Sequence, residues 1–443
     1  MNCFSPPESR TGINTFTNYI NQVNLHLFLL KYQYFMKTFK LIVILFALSL
    51  IHSCNNNDST PTATTTIDLT GTPKKKFNIS TIAKSIKYVP LETNDSCIIG
   101  TVNQIIICND RYILTDVNNV NSVFCFDFNG KFITKIGNQG EGPGEYRIPD
   151  YVFYDFVEES IYILDDRGRK IIKYDKNGTF ISETRLEVIA DCVSKLTNER
   201  YAIYTRFDDI SAYNGDNNYS NIYITDENIH IIKKFIPYSQ NINSANIIGV
   251  VNPFCSFSND SVSVIIPYDN NIYHVNSINC FPAYSIDFGK HNMPDNFFRD
   301  IITSKYSNPM FTIKYINDGN FSYLMSFMES RDWLNLNYKK NGKLTTCYYS
   351  KKTGEVFETY YPLNNDVDGA FFFPLMATDG YNFYSIVYPY TLKLLQKDNK
   401  EIKGLFTNKE IHPSKEIVKL SNLVNENDNP IIVIVSMKEI FNN

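Results

Sequence analysis

The feature that most narrows what this chain can fold into is a repeat. Tyr112-Ile-Leu-Thr-Asp116, followed by Phe126-Asp-Phe-Asn-Gly-Lys-Phe-Ile133, returns as Tyr162-Ile-Leu-Asp-Asp166 and Tyr174-Asp-Lys-Asn-Gly-Thr-Phe-Ile181, at offsets of 50 and 48 residues. Each copy reads as strand, polar turn, strand, Asn-Gly hairpin turn and strand, because Asn-Gly supplies the positive φ angles that a tight hairpin needs. Weaker copies follow at 201–227, 262–289 and 322–356, and a sixth unit opens at 381–387. A long period marks units that cannot bury both faces alone and must stack on one another. Six units between about 77 and 436 average roughly 60 residues, which suits four-stranded sheets set radially around an axis, with only short edges left open. The expectation is an all-β fold over residues 77–443, a six-bladed β-propeller with short helical insertions.

The stretch Gly137-Asn-Gln-Gly-Glu-Gly-Pro-Gly-Glu-Tyr-Arg147 concentrates four of the chain's 19 glycines. It is not a phosphate cradle, because a strand-like run (148–154) follows where a helix N-terminus is required. The repeat gives it another role, since it lies where the chain crosses from the outer edge of one unit to the axis of the next, and glycine and proline make that bend. Glu141, Glu145 and Arg147 flank it, and on a loop held by a rigid scaffold they are the candidate ligand-binding residues.

Strand-favouring aromatics dominate the composition, 31 Tyr and 32 Phe against one Trp, and hydrophobic residues make up 43% of the 443 residues, enough for a large core. A net charge of −4 lacks the basic footprint of a nucleic-acid-binding protein. Near the N-terminus, Met36-Lys-Thr-Phe-Lys40 precedes an apolar run of eleven, 41–51, and a small-residue ending, Ser53-Cys54. This reads as a secretory signal over 36–54, too short to span a bilayer. Cys54 at its end is the expected lipidation site, residues 1–35 read as an upstream extension from an early start codon, and 55–76 as a polar tether. Seven cysteines remain beyond Cys54, without a CxxC pair, and read as buried free thiols rather than zinc ligands.

Two patches carry helix signals: 294–302, entered by Pro294, and 414–424, with Ser414 as N-cap. Catalytic motifs are scarce. No HExxH or Gly-x-Ser-x-Gly occurs, and Asp287-Phe288-Gly289 stands without the glycine-rich and catalytic loops of a kinase. The oxygen-rich segment 208–218 lacks EF-hand spacing and reads as a solvated loop before a Ca²⁺ site. No metal site and no cofactor are expected.

Tyr88-Val-Pro-Leu-Glu-Thr93, the Gly140–Tyr146 corner, Ile272-Tyr-His-Val275 leading to Ile286-Asp-Phe-Gly-Lys290, and Asn429-Pro-Ile-Ile-Val-Ile434 together resemble the six-bladed β-propeller lipoproteins of Gram-negative gut anaerobes, which are related to NHL-repeat propellers. The resemblance implies a propeller and export to the cell envelope, with no shared activity. The functional expectation is a lipid-anchored, non-catalytic binding module for a protein, peptide or saccharide. The alternative is a metal-dependent propeller hydrolase, lactonase or glycosidase-like, with an axial site.

Overall fold

The computed structural model describes residues 64–440, save 75–76, 187, 208–218, 240–241, 243–246, 303–308, 362, 372–373 and 397–412. The signal segment, Cys54 and the oxygen-rich loop 208–218 lie outside the described residues.

Six antiparallel sheets follow one another along the chain. Blade 1 comprises Gln104–Ile107, Arg111–Asp116, Ser122–Asp127 and Phe132–Lys135; blade 2, Tyr151–Asp155, Ser160–Asp165, Lys170–Tyr174 and Phe180–Arg185. Blade 3 holds Cys192–Leu196, Arg200–Tyr204, Ser220–Thr225 and Ile231–Pro237; blade 4, Phe254–Cys255, Ser261–Ile265, Asn271–Asn276 and Cys280–Asp287. Blade 5 is Tyr323–Glu329, Trp333–Lys340, Lys343–Ser350 and Val356–Tyr360, and blade 6 combines Ala377–Thr378, Asn382–Val387 and Ile431–Met437 with Ala83–Pro90. The chain is therefore a six-bladed β-propeller, as the repeat predicts.

The second strands of blades 1 and 2 are buried along their whole length rather than at alternate positions. The reason is that a blade has no solvent face. Ile113 and Cys125 of blade 1 pack with Ile161 and Ile172 of blade 2, while Tyr162 and Leu164, on the other face of blade 2, pack with Ile203 and Tyr223 of blade 3. Phe124 and Phe126 meet Ile386 and Ile432 of blade 6 and so close the circle. Outermost strands read differently, and Phe180–Arg185 is mostly exposed.

The hairpin turns repeat as the sequence does. Asp127 Oδ1 accepts the backbone N–H groups of Asn129 and Lys131, and Asp175 Oδ1 those of Asn177 and Thr179, with Gly130 and Gly178 at φ +83° and +84°. Asp226 does the same for Asn228 and His230, with Ile229 at φ +68° in the glycine's place.

Ile431–Met437 is the third strand of blade 6, and Ala83–Pro90 supplies the outermost one, in register from Ala83 opposite Met437 to Pro90 opposite Ile431, so strands far apart in the chain close the ring together. Asn429, 2% exposed, fastens this junction. Its Nδ2 donates to the carbonyls of Glu92 (2.6 Å) and Cys97 (2.5 Å), and its Oδ1 accepts the N–H of Ile99 (2.8 Å).

The stretch 55–76, read as a tether, is already folded at Thr65. Thr65–Asp68 adds a parallel fifth strand to the outer edge of blade 4. Ile67 and Leu69 are each buried, and the buried Lys340 donates to the carbonyls of Leu69 (2.5 Å) and Gly71 (2.6 Å) and to Glu358 (2.8 Å). The overall polarity of 55–76 concealed two apolar residues spaced for a strand.

Among the described residues, three short helices lie outside the blades: α1 Pro309–Asp318, α2 Pro389–Gln396 and α3 Lys415–Leu423. Ser414 caps α3 as expected, its hydroxyl accepting the N–H of Ile417. The patch 294–302 forms only a single π-helical turn, Phe298–Ile302, and neither α1 nor α2 was expected. All seven described cysteines are free thiols, and six of them are buried.

Candidate functional site

Strand direction alternates within a blade, so the turns after first and third strands lie at one end of the disc and those after second and fourth strands at the other. The first strands pack around the axis. Residues 137–150 join the fourth strand of blade 1 to the first of blade 2 and therefore sit on the second of these faces, the corner-bearing face. The excursion holding α1 and the one holding α2 and α3 open onto the same face.

The corner is locked from inside. Gly137 takes φ +63°, and a Cβ there would meet the Tyr174 hydroxyl at 2.4 Å, so only glycine fits. Tyr174 Oη donates to the carbonyl of Gly144 (2.8 Å) and Tyr146 Oη to that of Ile136 (3.2 Å), both rings being fully buried. Asn138–Gln139 and Glu145–Tyr146 pair as a short parallel ladder.

The three candidate residues come together here with different environments. Arg147 and Glu141 form an ion pair, Nη2 to Oε1 3.1 Å, with side chains 52% and 75% exposed. The backbone N–H of Arg147 donates to Asp165 Oδ2 (2.8 Å), which fixes the residue's base. Glu145 turns into the corner, where its Oε2 accepts the N–H of Gly142 (2.9 Å). Asp165 was not foreseen. It and its counterpart Asp116, both fully buried, hold the loop backbone on this face, Asp116 through Gly100 and Thr101. Each ends the second strand of its blade, whereas the repeat as read from the sequence pairs Asp116 with Asp166 and so points one residue past Asp165.

Between blades 3 and 4 the same face opens into a cavity of about 440 Å³, walled by Phe207, Ile236, Tyr238, Ile266 and Phe298, with Asp269 at its edge. Tyr273 Oη donates to Asp269 (2.7 Å), and burial pushes the Asp269 carboxyl above its usual range. The axial channel is far smaller, about 70 Å³. Gln104, Val152, Ser194, Phe254, Met328 and Thr378 are among its lining residues, which include no Asp, Glu or His among those described. No group of three His, Cys, Asp or Glu side chains among the described residues stands close enough to hold a metal.

His274 and Glu329 define a separate buried cluster between blades 4 and 5. Glu329 accepts from Ser263 Oγ (2.5 Å), Lys351 Nζ (2.5 Å) and Tyr284 Oη (3.4 Å), and lies 3.0 Å from His274 Nε2. Among the other histidines, the exposed His230 lies 3.0 Å from Asp226 and the half-buried His291 2.9 Å from the carbonyl of Asn320. His412 lies outside the described residues. Phe288, within the kinase-like tripeptide, is a core side chain.

The family model described as "Domain of unknown function (DUF4934)" matches residues 64–436. Among solved structures, the chain is similar to a Bacteroides fragilis protein described as an exported protein, at 21% identity over 85% of this chain and all of the other, with a TM-score of 0.68. A member of the DUF4221 family from Bacteroides vulgatus matches at 10% identity, covering 80% and 97% of the two chains, with a TM-score of 0.46. BamB from Moraxella catarrhalis matches at 11% identity, covering 68% and 75%, with a TM-score of 0.33. No curated protein matches the sequence. No helix among the described residues is long and apolar enough to cross a membrane.

Proposed function

The chain belongs to the DUF4934 family, and from that premise we propose that it is an exported, lipid-anchored propeller that captures a protein, peptide or saccharide on its corner-bearing face, without catalysis and without a cofactor. Export is supported by the signal-like segment 36–54 and by the similarity to the exported Bacteroides fragilis protein. Kinship with NHL-repeat propellers rests on the strand, Asn-Gly turn and strand units.

The observation that carries the reading is the Glu141–Arg147 pair on its locked corner. A solvent-exposed ion pair contributes at most about 1 kcal/mol, so exchanging it for contacts with a ligand costs little. Because the corner backbone is already fixed, a ligand does not have to order it. The cavity of about 440 Å³ on the same face is of a size that holds small ligands. The hydrolase reading would route its chemistry through carboxylates on the axis, and the apolar, amide and hydroxyl lining of the channel favours capture instead. The experiment is retention of probes on glycan and peptide arrays by the exported protein and by its Glu141→Ala and Arg147→Ala variants.

Lipid attachment at Cys54 has its own expected result. Metabolic labelling with an alkynyl fatty acid should mark the protein and not Cys54→Ser, which should leave the membrane fraction. Equal labelling of both would show that the anchor is elsewhere, and labelling of neither that there is none.

A further inference from the structure

The face opposite the corner carries a second arrangement, built by three loops that are far apart in sequence. Phe257 follows the first strand of blade 4, Arg331 the first strand of blade 5 and Tyr381 the first strand of blade 6. The Arg331 guanidinium carbon lies 4.8 Å from the centre of the Tyr381 ring and 5.7 Å from that of Phe257. Arg331 N–H donates to the carbonyl of Gly380 (2.9 Å), and Gly380, at φ +86°, lies so close to Phe257 that a Cβ would come within 2.8 Å of its ring. The stack is thus held by the backbone as well as by the rings. It stands beside the channel mouth, where Ser256 and Thr378 line the axis.

What the guanidinium lacks is an anion. Among the described residues its N–H groups have no hydrogen-bond or ion-pair partner. Asp379 accepts from Tyr384 Oη (2.8 Å) and Asn382 Nδ2 (2.9 Å), Asp260 pairs with Ser258, and Asp332, next along the chain, forms no ion pair with Arg331. Rings that cover a guanidinium's faces leave its donors at the edge, in the fork that matches a carboxylate. Tyr381 is 66% exposed and offers ring surface for a neighbouring group to lie against.

We propose that Phe257, Arg331 and Tyr381 form a carboxylate-binding site for a saccharide bearing a single uronic acid, its carboxylate bidentate on Arg331 and its ring against Tyr381. One charge is specified because a single guanidinium fork takes one carboxylate, and because Asp260 and Asp332, on the same turns as Phe257 and Arg331 and in no ion pair among the described residues, repel a further negative charge. The site lies on the face opposite Glu141 and Arg147 and is independent of the capture proposed there.

The test compares methyl β-D-glucuronide with methyl β-D-glucoside by titration calorimetry and saturation-transfer NMR. The exported protein should bind the glucuronide at least about tenfold more tightly, since losing one charge-assisted bidentate contact costs at least about 1.4 kcal/mol. Arg331→Met keeps an unbranched apolar stem between the rings and should bring the two sugars to equal affinity. Arg331→Lys should fall between. Binding of neither sugar, equal binding of both by the unmodified protein, or a preference that survives Arg331→Met would overturn the proposal.

Discussion

Deleting residues 429–443 is expected to abolish soluble, cooperatively melting protein. The deletion removes Ile431–Met437 from between Asn382–Val387 and Ala83–Pro90, so both neighbouring strands lose their partner at once. Ile431, Ile432, Val433 and Val435 are each at most 1% exposed, and burying a side chain of this kind contributes about 1.5–3 kcal/mol. Four of them together match the whole stability of an ordinary domain, about 5–15 kcal/mol. The deletion also takes Asn429, which leaves the carbonyls of Glu92 and Cys97 and the N–H of Ile99 without their partner. Two open strand edges then invite aggregation. Soluble yield and a thermal melt decide the matter, and a truncated protein that melts as the full chain does would show that the ring closes without this strand. Val433→Ala, opposite Tyr88, gives a milder version, with an expected loss of about 1–3 kcal/mol.

The second large effect is expected at Glu329→Gln. Burial alone would raise the Glu329 carboxyl, but the hydrogen bond from His274 and the charge of Lys351 outweigh it and hold the pKa at about 2. A carboxylate depressed in the folded state contributes stability that is fully present above its unfolded pKa and is lost as pH falls through the folded value. The window here runs from about pH 4.5 down to about 2. Near neutrality the substitution removes a buried charge and leaves Lys351 and His274 facing an amide, at a cost of about 3–5 kcal/mol. Urea unfolding at several pH values should show a gap between the two proteins that is wide at pH 7 and narrows below pH 4.5. A constant gap, or none, would mean that the cluster does not fasten blades 4 and 5 through this charge.

The two effects mark where the sequence spoke and where it fell silent. Strand number and blade order were legible because each blade repeats the same hairpin chemistry, with Asp127, Asp175 and Asp226 each gathering backbone N–H groups two and four residues on. The corner was legible because few residues other than glycine tolerate its geometry. The outermost strand of blade 6 was not: Ala83–Pro90 lies more than 340 residues from its partner, and its residues mix lysines with half-buried Ile86 and Tyr88. The same reason hid Glu329, whose partners Ser263, His274, Tyr284 and Lys351 are spread over two blades. It also hid the Phe257, Arg331 and Tyr381 stack, spread over three. Glu141, Glu145 and Arg147 could be read together because one short loop carries them. What the sequence could not show is that Glu145 points into the corner's own backbone while the other two face solvent.

Capture at the corner-bearing face is tested most directly by array retention of glycans and peptides, measured side by side for the unmodified protein, Glu141→Ala and Arg147→Ala, with and without EDTA. The expected result is at least one probe retained by the unmodified protein, a loss of about fivefold or more in both variants at unchanged melting temperature, and no effect of EDTA. Retention by both variants equal to that of the unmodified protein would contradict the account, as would EDTA-sensitive turnover of a lactone or aryl glycoside.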